Sequence, residues 1–119
     1  MKVINLKEKL SLFTEHWTPK KIGELNGQQL LLAKIKGEFI WHAHEEEDEL
    51  FYIIKGCLKI EFREKSVTLK EGELCIIPKG IEHRPVAQEE VHVMLFEPLE
   101  IKHTGNIISK LTVEKFDSI

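Results

Sequence analysis

Only two cysteines occur in the 119 residues, Cys57 and Cys75. Their separation fits no zinc-finger or CxxC spacing, and a reducing compartment keeps both as thiols, so they read as small buried hydrophobes of a core. Long runs are missing too. No apolar stretch is long enough to span a bilayer, and Met1 to Phe13 sets Lys7, Glu8 and Lys9 where a signal peptide needs an unbroken hydrophobic centre. The 17 basic residues against 20 acidic ones give a net charge of −3, with no basic run of the kind nucleic acid or an anionic membrane surface requires. There is no internal repeat and no low-complexity linker. One cytoplasmic domain with a single core is the expectation, with neither nucleic acid nor membrane as partner.

What is present begins with a short helix. Asn5 stands as its cap, Glu8 occupies the capping-box position three residues on, and Leu6, Leu10 and Phe13 recur on one face, which predicts a helix ending near Trp17-Thr18-Pro19. From Leu30 the pattern changes to β-like runs: 30–36, 38–44, 49–55, 57–63, 67–69, 73–77 and 91–96. Asn26-Gly27 suits a two-residue hairpin, Glu71-Gly72 opens a strand, and Pro78 and Gly80 suit positions i+1 and i+3 of a type I turn. Closely spaced strands without intervening helices predict an all-β antiparallel sandwich or barrel. Residues 110–116 form either a last edge strand or a loose tail.

The chemistry lies in two stretches. Residues 37–56 carry His42-x-His44-x4-Glu49-x6-Gly56, and residues 72–83 carry Gly72-x5-Pro78-x-Gly80-x2-His83. Side chains alternate along a strand, so His42 and His44 face the same way about 6.5 Å apart and can converge on one ion. Glu49 starts the next strand beyond the acidic run 45–48, and His83 brings a third imidazole from another hairpin. Three neutral imidazoles and one carboxylate leave a divalent ion with a net charge of about +1, which favours oxygen anions at its open positions. Asp48 also fits a His-to-acid spacing, but Glu49 keeps the six-residue interval to Gly56. By parity Ile40, Phe51 and Ile53 accompany the ligands as pocket wall, while Trp41, Leu50, Tyr52 and Ile54 face the other way, under a second sheet or a subunit. In 91–96 either Val91, Val93 and Leu95 or His92, Met94 and Phe96 line the interior. His16, His92 and His103 read as surface or satisfied core residues.

On these two motifs the chain resembles the cupin superfamily over roughly residues 30–97. Two departures are visible: four residues rather than five separate Gly37 from His42, and Ala87 stands where the second motif ends in Asn; neither position is a ligand. The resemblance implies a single cupin β-barrel, or jelly roll, with a short N-terminal helix. Residues 1–29 then form the helix and a lead-in strand, 30–97 the barrel with its site, and 98–119 a tail packing on or extending it. It also implies a divalent transition metal (Fe, Mn, Ni, Co or Zn) held by His42, His44, Glu49 and His83, a small-molecule ligand or substrate, and a homodimer. Small cupins of this kind are often named for phosphomannose isomerases, but the fold serves many chemistries and does not determine function. Two functions compete. One is a mononuclear metalloenzyme acting on a small oxygen-rich molecule, of dioxygenase or isomerase/epimerase type, with Glu49 as ligand and catalytic proton carrier. The other is a non-catalytic module that binds a sugar-like ligand; the lack of a DNA-binding segment argues against a transcriptional sensor.

Overall fold

The computed structural model describes residues 1–99 and 116–119. Helix α1 is Leu6–Leu10, capped by Asn5, whose side chain accepts a 3.0 Å hydrogen bond from the Glu8 amide. It stops well short of the predicted end at Trp17, because the Ser11 amide and hydroxyl both turn back on the Glu8 carbonyl. Phe13 still reaches the apolar cluster of Leu10 and Leu32, which Ile54 and Met94 border. Ile54, on the outer face, therefore packs partly buried against the helical segment.

Eight strands follow among the described residues: β1 (Lys20–Leu25), β2 (Gln28–Glu38), β3 (Glu49–Lys55), β4 (Cys57–Phe62), β5 (Ser66–Lys70), β6 (Leu74–Ile77), β7 (His83–Pro98) and β8 (Asp117–Ser118). Asn26 and Gly27 join β1 to β2 with φ of 50° and 75°, the doubly left-handed conformation of a type I′ turn. The long strand β7 closes the jelly-roll barrel. One edge runs along β2 from Gln28↔Pro98 to Glu38↔Val86. The other pairs first with β4, from Phe62↔His83 to Lys59↔Val86, and then with β3, from Lys55↔His92 to Leu50↔Phe96. Short β8 lies parallel to the start of β1; residues 110–115 of the predicted final strand lie outside the described residues.

The interior is filled by Leu31, Ile53, Leu58, Ile60, Val91 and Val93, each at most 1% exposed. Full burial of such side chains is worth about 1.5–3 kcal/mol apiece. The odd-numbered set of β7 faces inward, and the series continues to a buried Glu97. Cys75 packs partly buried against this core, but Cys57 is exposed, contrary to expectation. It shares its face of β4 with Lys59, while Leu58 and Ile60 take the inner face.

Two glycines have physical necessity. Gly56 turns β3 into β4 at φ 95°, and a Cβ there would stand 3.1 Å from the Glu90 carbonyl and 3.2 Å from Val91. Gly80, at φ 80°, is position i+2 of a turn closed by Ile81 N→Pro78 O (3.4 Å), which makes it type II with Pro78 at position i, not the expected type I.

Candidate metal centre

The two motifs meet through the backbone. The amide of His42 donates to the His83 carbonyl at 3.1 Å, and the His83 amide returns a bond to His42 at 2.9 Å. This isolated bridge replaces the predicted strand over 38–44: β2 ends at Glu38, just past the irregularity at Gly37 (φ 86°), and beyond it the Phe39 amide donates to Pro85 O (3.0 Å) before the bridge at His42. Farther along, Gly80 N donates to His44 O (2.8 Å) and Lys79 N to Asp48 Oδ1 (2.9 Å). Asp48 therefore pins the second motif's turn from outside, and Glu49, the first residue of β3, carries the inward carboxylate.

His42, His44, Glu49 and His83 are all buried, and one donor atom from each lies within 4.8 Å of the other three. Two of the histidine rings are fixed from behind. Nδ1 of His42 donates to the Ile40 carbonyl and Nδ1 of His83 to the Ile81 carbonyl, each at 3.0 Å, which sets the tautomer and leaves each Nε2 as a bare acceptor. Glu49 Oε1 stands 3.3 Å from His44 Nε2 and 3.5 Å from His83 Nε2. None of these three atoms has a hydrogen-bond partner among the described residues, and neither nitrogen of His44 has one. Unpaired polar atoms this deeply buried are costly. A divalent ion would satisfy the inward-facing donors, and a set of three imidazoles and one carboxylate suits a transition metal.

The electrostatics agree. Burial, reinforced by neighbouring His83, pushes His42 down to about 4, so its ring is neutral and able to ligate at neutral pH. Burial alone would push the Glu49 carboxyl up, but the His44 and His83 imidazoles facing it outweigh this and hold it below the ordinary carboxylate range. Glu97 is a buried neighbour that the sequence reading missed. Strand pairing of Leu50 with Phe96 places it across from Glu49, whose carboxylate it meets, and neither of its oxygens has another hydrogen-bond partner among the described residues. Burial, followed by the Glu49 charge, pushes its carboxyl well above the usual range.

A cavity of about 30 Å³ is bounded by His42 and Glu49 and otherwise by apolar side chains. Ala33, Ile35, Phe51, Val93 and Leu95 form its inner walls, with Phe39, Pro19, Pro85 and Trp17 completing it. Phe51 takes the expected role and Ile53 lies in the core behind it. Ile40 does not line the cavity. Outside a regular strand, it is Phe39 that turns inward, edge-on to the His42 ring at 5.4 Å. Trp41 instead lies on the outer side beneath the Arg63 and Arg84 guanidiniums, 4.0 and 5.2 Å from its ring. His16 and His92 share the Glu90 carboxylate, at 2.7 and 2.9 Å, away from the four donors; His103 lies outside the described residues.

The sequence profile of the cupin domain matches residues 31–99, more than half of the chain. The chain belongs to the cupin family. Among solved structures, this cupin is similar to a cupin-2 domain containing protein of Shewanella frigidimarina, with 49% identity and a TM-score of 0.80 over 81% of this chain and 94% of that one. It is 42% identical over 64 residues, 53% of its length, to the uncharacterised protein YdbB of Bacillus subtilis. It is 33% identical over 102 residues, 79% of its length, to 3-hydroxyanthranilate 3,4-dioxygenase of Xenopus laevis. The matches span 57% and 36% of those two relatives.

Proposed function

We propose that this cupin is a mononuclear metal-dependent enzyme of the dioxygenase type, acting on a small oxygen-rich molecule, with His42, His44, Glu49 and His83 as the metal ligands. The observation that carries the reading is the set of buried, unpartnered donor atoms next to an otherwise apolar cavity. A divalent ion there supplies Lewis-acid polarisation of a chelating substrate and, where it is iron, a redox partner for dioxygen. The chain's own residues do the rest. The Ile40 and Ile81 carbonyls keep the ligand nitrogens of His42 and His83 aimed inward. Glu49 is ionised at rest as the anionic ligand and, in this proposal, is the catalytic proton carrier that takes up the substrate's proton and returns it. The apolar walls exclude bulk water from the reacting atoms.

The same walls argue against sugar isomerisation or epimerisation. A polyol loses its hydration on entry and would find, among the described residues, no hydrogen-bonding side chain of the cavity lining beyond the ligands themselves, a loss of about 1–3 kcal/mol for each unpaired hydroxyl. The similarity to a 3-hydroxyanthranilate dioxygenase supports oxygen chemistry. Oxygen uptake by iron-reconstituted protein tests the proposal, with diketones, enediols and aminophenols set against hexose phosphates. Consumption with a member of the first group, abolished in E49A, supports it. Tight binding without oxygen uptake or turnover would leave a non-catalytic binding protein.

A further inference from the structure

The cavity beside the four donors has room for one or two water molecules and no more. Any substrate that reaches the centre must therefore displace part of the wall. Of the eleven lining residues among those described, ten are buried, and Trp17 is the one partly open to solvent, on the outer side. Its ring lies stacked on Phe39, with centroids 4.7 Å apart and planes 19° from parallel, and Phe39 in turn meets the His42 ring edge-on.

Trp17 is also held in an unusual way. Its φ is 58°, a left-handed conformation that is strained for a bulky aromatic residue. It belongs to no regular strand, and its neighbours from Thr14 to His16 are exposed. Two hydrogen bonds from Trp17 and two ion pairs from its neighbours fasten this strap to the barrel. The Trp17 amide donates to Lys34 O (3.0 Å), the indole Nε1 to Lys36 O (2.9 Å), and Thr18 Oγ1 closes a turn on His16 O (3.0 Å). The Lys36 carbonyl sits at the bulge of β2, where the register with β7 shifts between Ile35 and Gly37. The ion pairs join His16 to Glu90 (2.7 Å) and Glu15 to Lys20 (2.9 Å). The indole bond and the His16–Glu90 pair lie close to solvent, whereas the other walls belong to the core.

We propose that Trp17 is the removable roof of the pocket and its specificity-determining residue. Its indole occupies the place on the Phe39 face that the flat, unsaturated body of a chelating substrate takes when the strap swings out. This deepens the enzymatic reading and rests on the four-ligand centre. The chemical class follows from what the indole vacates: a planar π-surface about the size of one or two fused rings, apolar walls on either side, and hydrogen-bonding capacity only toward His42 and Glu49. A planar molecule with two adjacent oxygens on one edge fits this space; a puckered polyol does not.

The test uses full-length W41F protein, in which Trp17 is the sole tryptophan, loaded with Co(II) under argon. The cobalt visible spectrum reports the centre, and acrylamide quenching of Trp17 emission reports the roof. Tropolone serves as the planar probe and glycerate as the puckered one. The expected result is that tropolone perturbs the cobalt bands and raises the Trp17 quenching constant at least threefold. Glycerate binds at least tenfold more weakly, and W17A binds tropolone about tenfold more tightly because no indole competes. Tropolone binding at cobalt with Trp17 as protected as before would overturn the roof, as would failure of tropolone to perturb the cobalt bands. Failure to bind cobalt would overturn the metal centre instead. Hydrogen exchange on the metal-free protein then decides the roof by itself: a Trp17 amide exchanging at least a hundredfold faster than that of Ala33 supports it, and equal protection overturns it.

Discussion

His42 and His83 are joined by a reciprocal pair of backbone hydrogen bonds, 3.1 and 2.9 Å long, so the two motifs that carry the candidate ligands are fastened to each other before any ion binds. Their rings lie 4.3 Å apart between centroids. The barrel therefore holds the donors in place, and metal binding need not drive folding.

Removing one donor should empty the centre and leave the barrel. H44A and E49A each truncate a buried ligand, and metal content is expected to fall from about one equivalent to below a tenth after dialysis, in line with the loss of at least tenfold in affinity that even supporting residues cost. Far-ultraviolet circular dichroism should be unchanged. H92A, away from the donors, should keep its metal.

The metal-free protein should lose stability in mild acid. His42 is lowered by burial from 6.5 to about 4, so the unfolded chain takes up a proton there before the folded one does. Its contribution is complete above about pH 6.5 and is lost as pH falls toward 4, amounting to about 2 kcal/mol between pH 7 and pH 5. Urea titrations of chelator-treated protein at the two pH values measure it. The difference should shrink in H42Q, which has nothing to protonate; an unchanged difference would assign the acid sensitivity elsewhere.

Glu97 gives a contrasting prediction. Burial and the adjacent Glu49 favour its uncharged form, so E97Q, which keeps the shape and removes the charge, should shift stability by no more than about 1 kcal/mol at neutral pH. E97K would force a longer ammonium side chain into a fully buried site against the ligand carboxylate of Glu49 and should destabilise the fold strongly. Thermal melts of both variants distinguish a neutral from an ionised Glu97.

Two structural positions calibrate the fold. Leu58 is completely buried, and L58A should cost about 2–5 kcal/mol, as expected for a core cavity. Gly56 has φ 95° and the Glu90 carbonyl 3.1 Å from a would-be Cβ, so G56A should cost more than about 1 kcal/mol although it adds a single methyl group. Denaturant midpoints check both.

The four donors and the strands were legible in the sequence because their signals are local: alternation of apolar residues, glycine at turns, and two histidines two residues apart. Parity carried Phe51 inward correctly, since Glu49–Lys55 is a regular strand. It failed at Ile40, because the chain leaves β2 at Glu38 and Phe39, not Ile40, turns into the cavity. Glu97 went unread because strand β7 extends past Phe96 and the inward series Val91, Val93, Leu95 continues by one more step. Trp17 could not be read at all. Its place over the cavity depends on a positive φ and on carbonyls of β2 about twenty residues away, neither of which leaves a periodic trace.

Whether the four donors hold an ion is decided by metal analysis of tag-free protein purified without chelator. About one equivalent of a divalent transition metal per chain is expected in the native protein or after reconstitution, with none retained by E49A. A native protein that carries no metal and takes up none of Fe, Mn, Ni, Co or Zn would contradict the assignment, and the four buried donors would then be a preformed pocket without an ion.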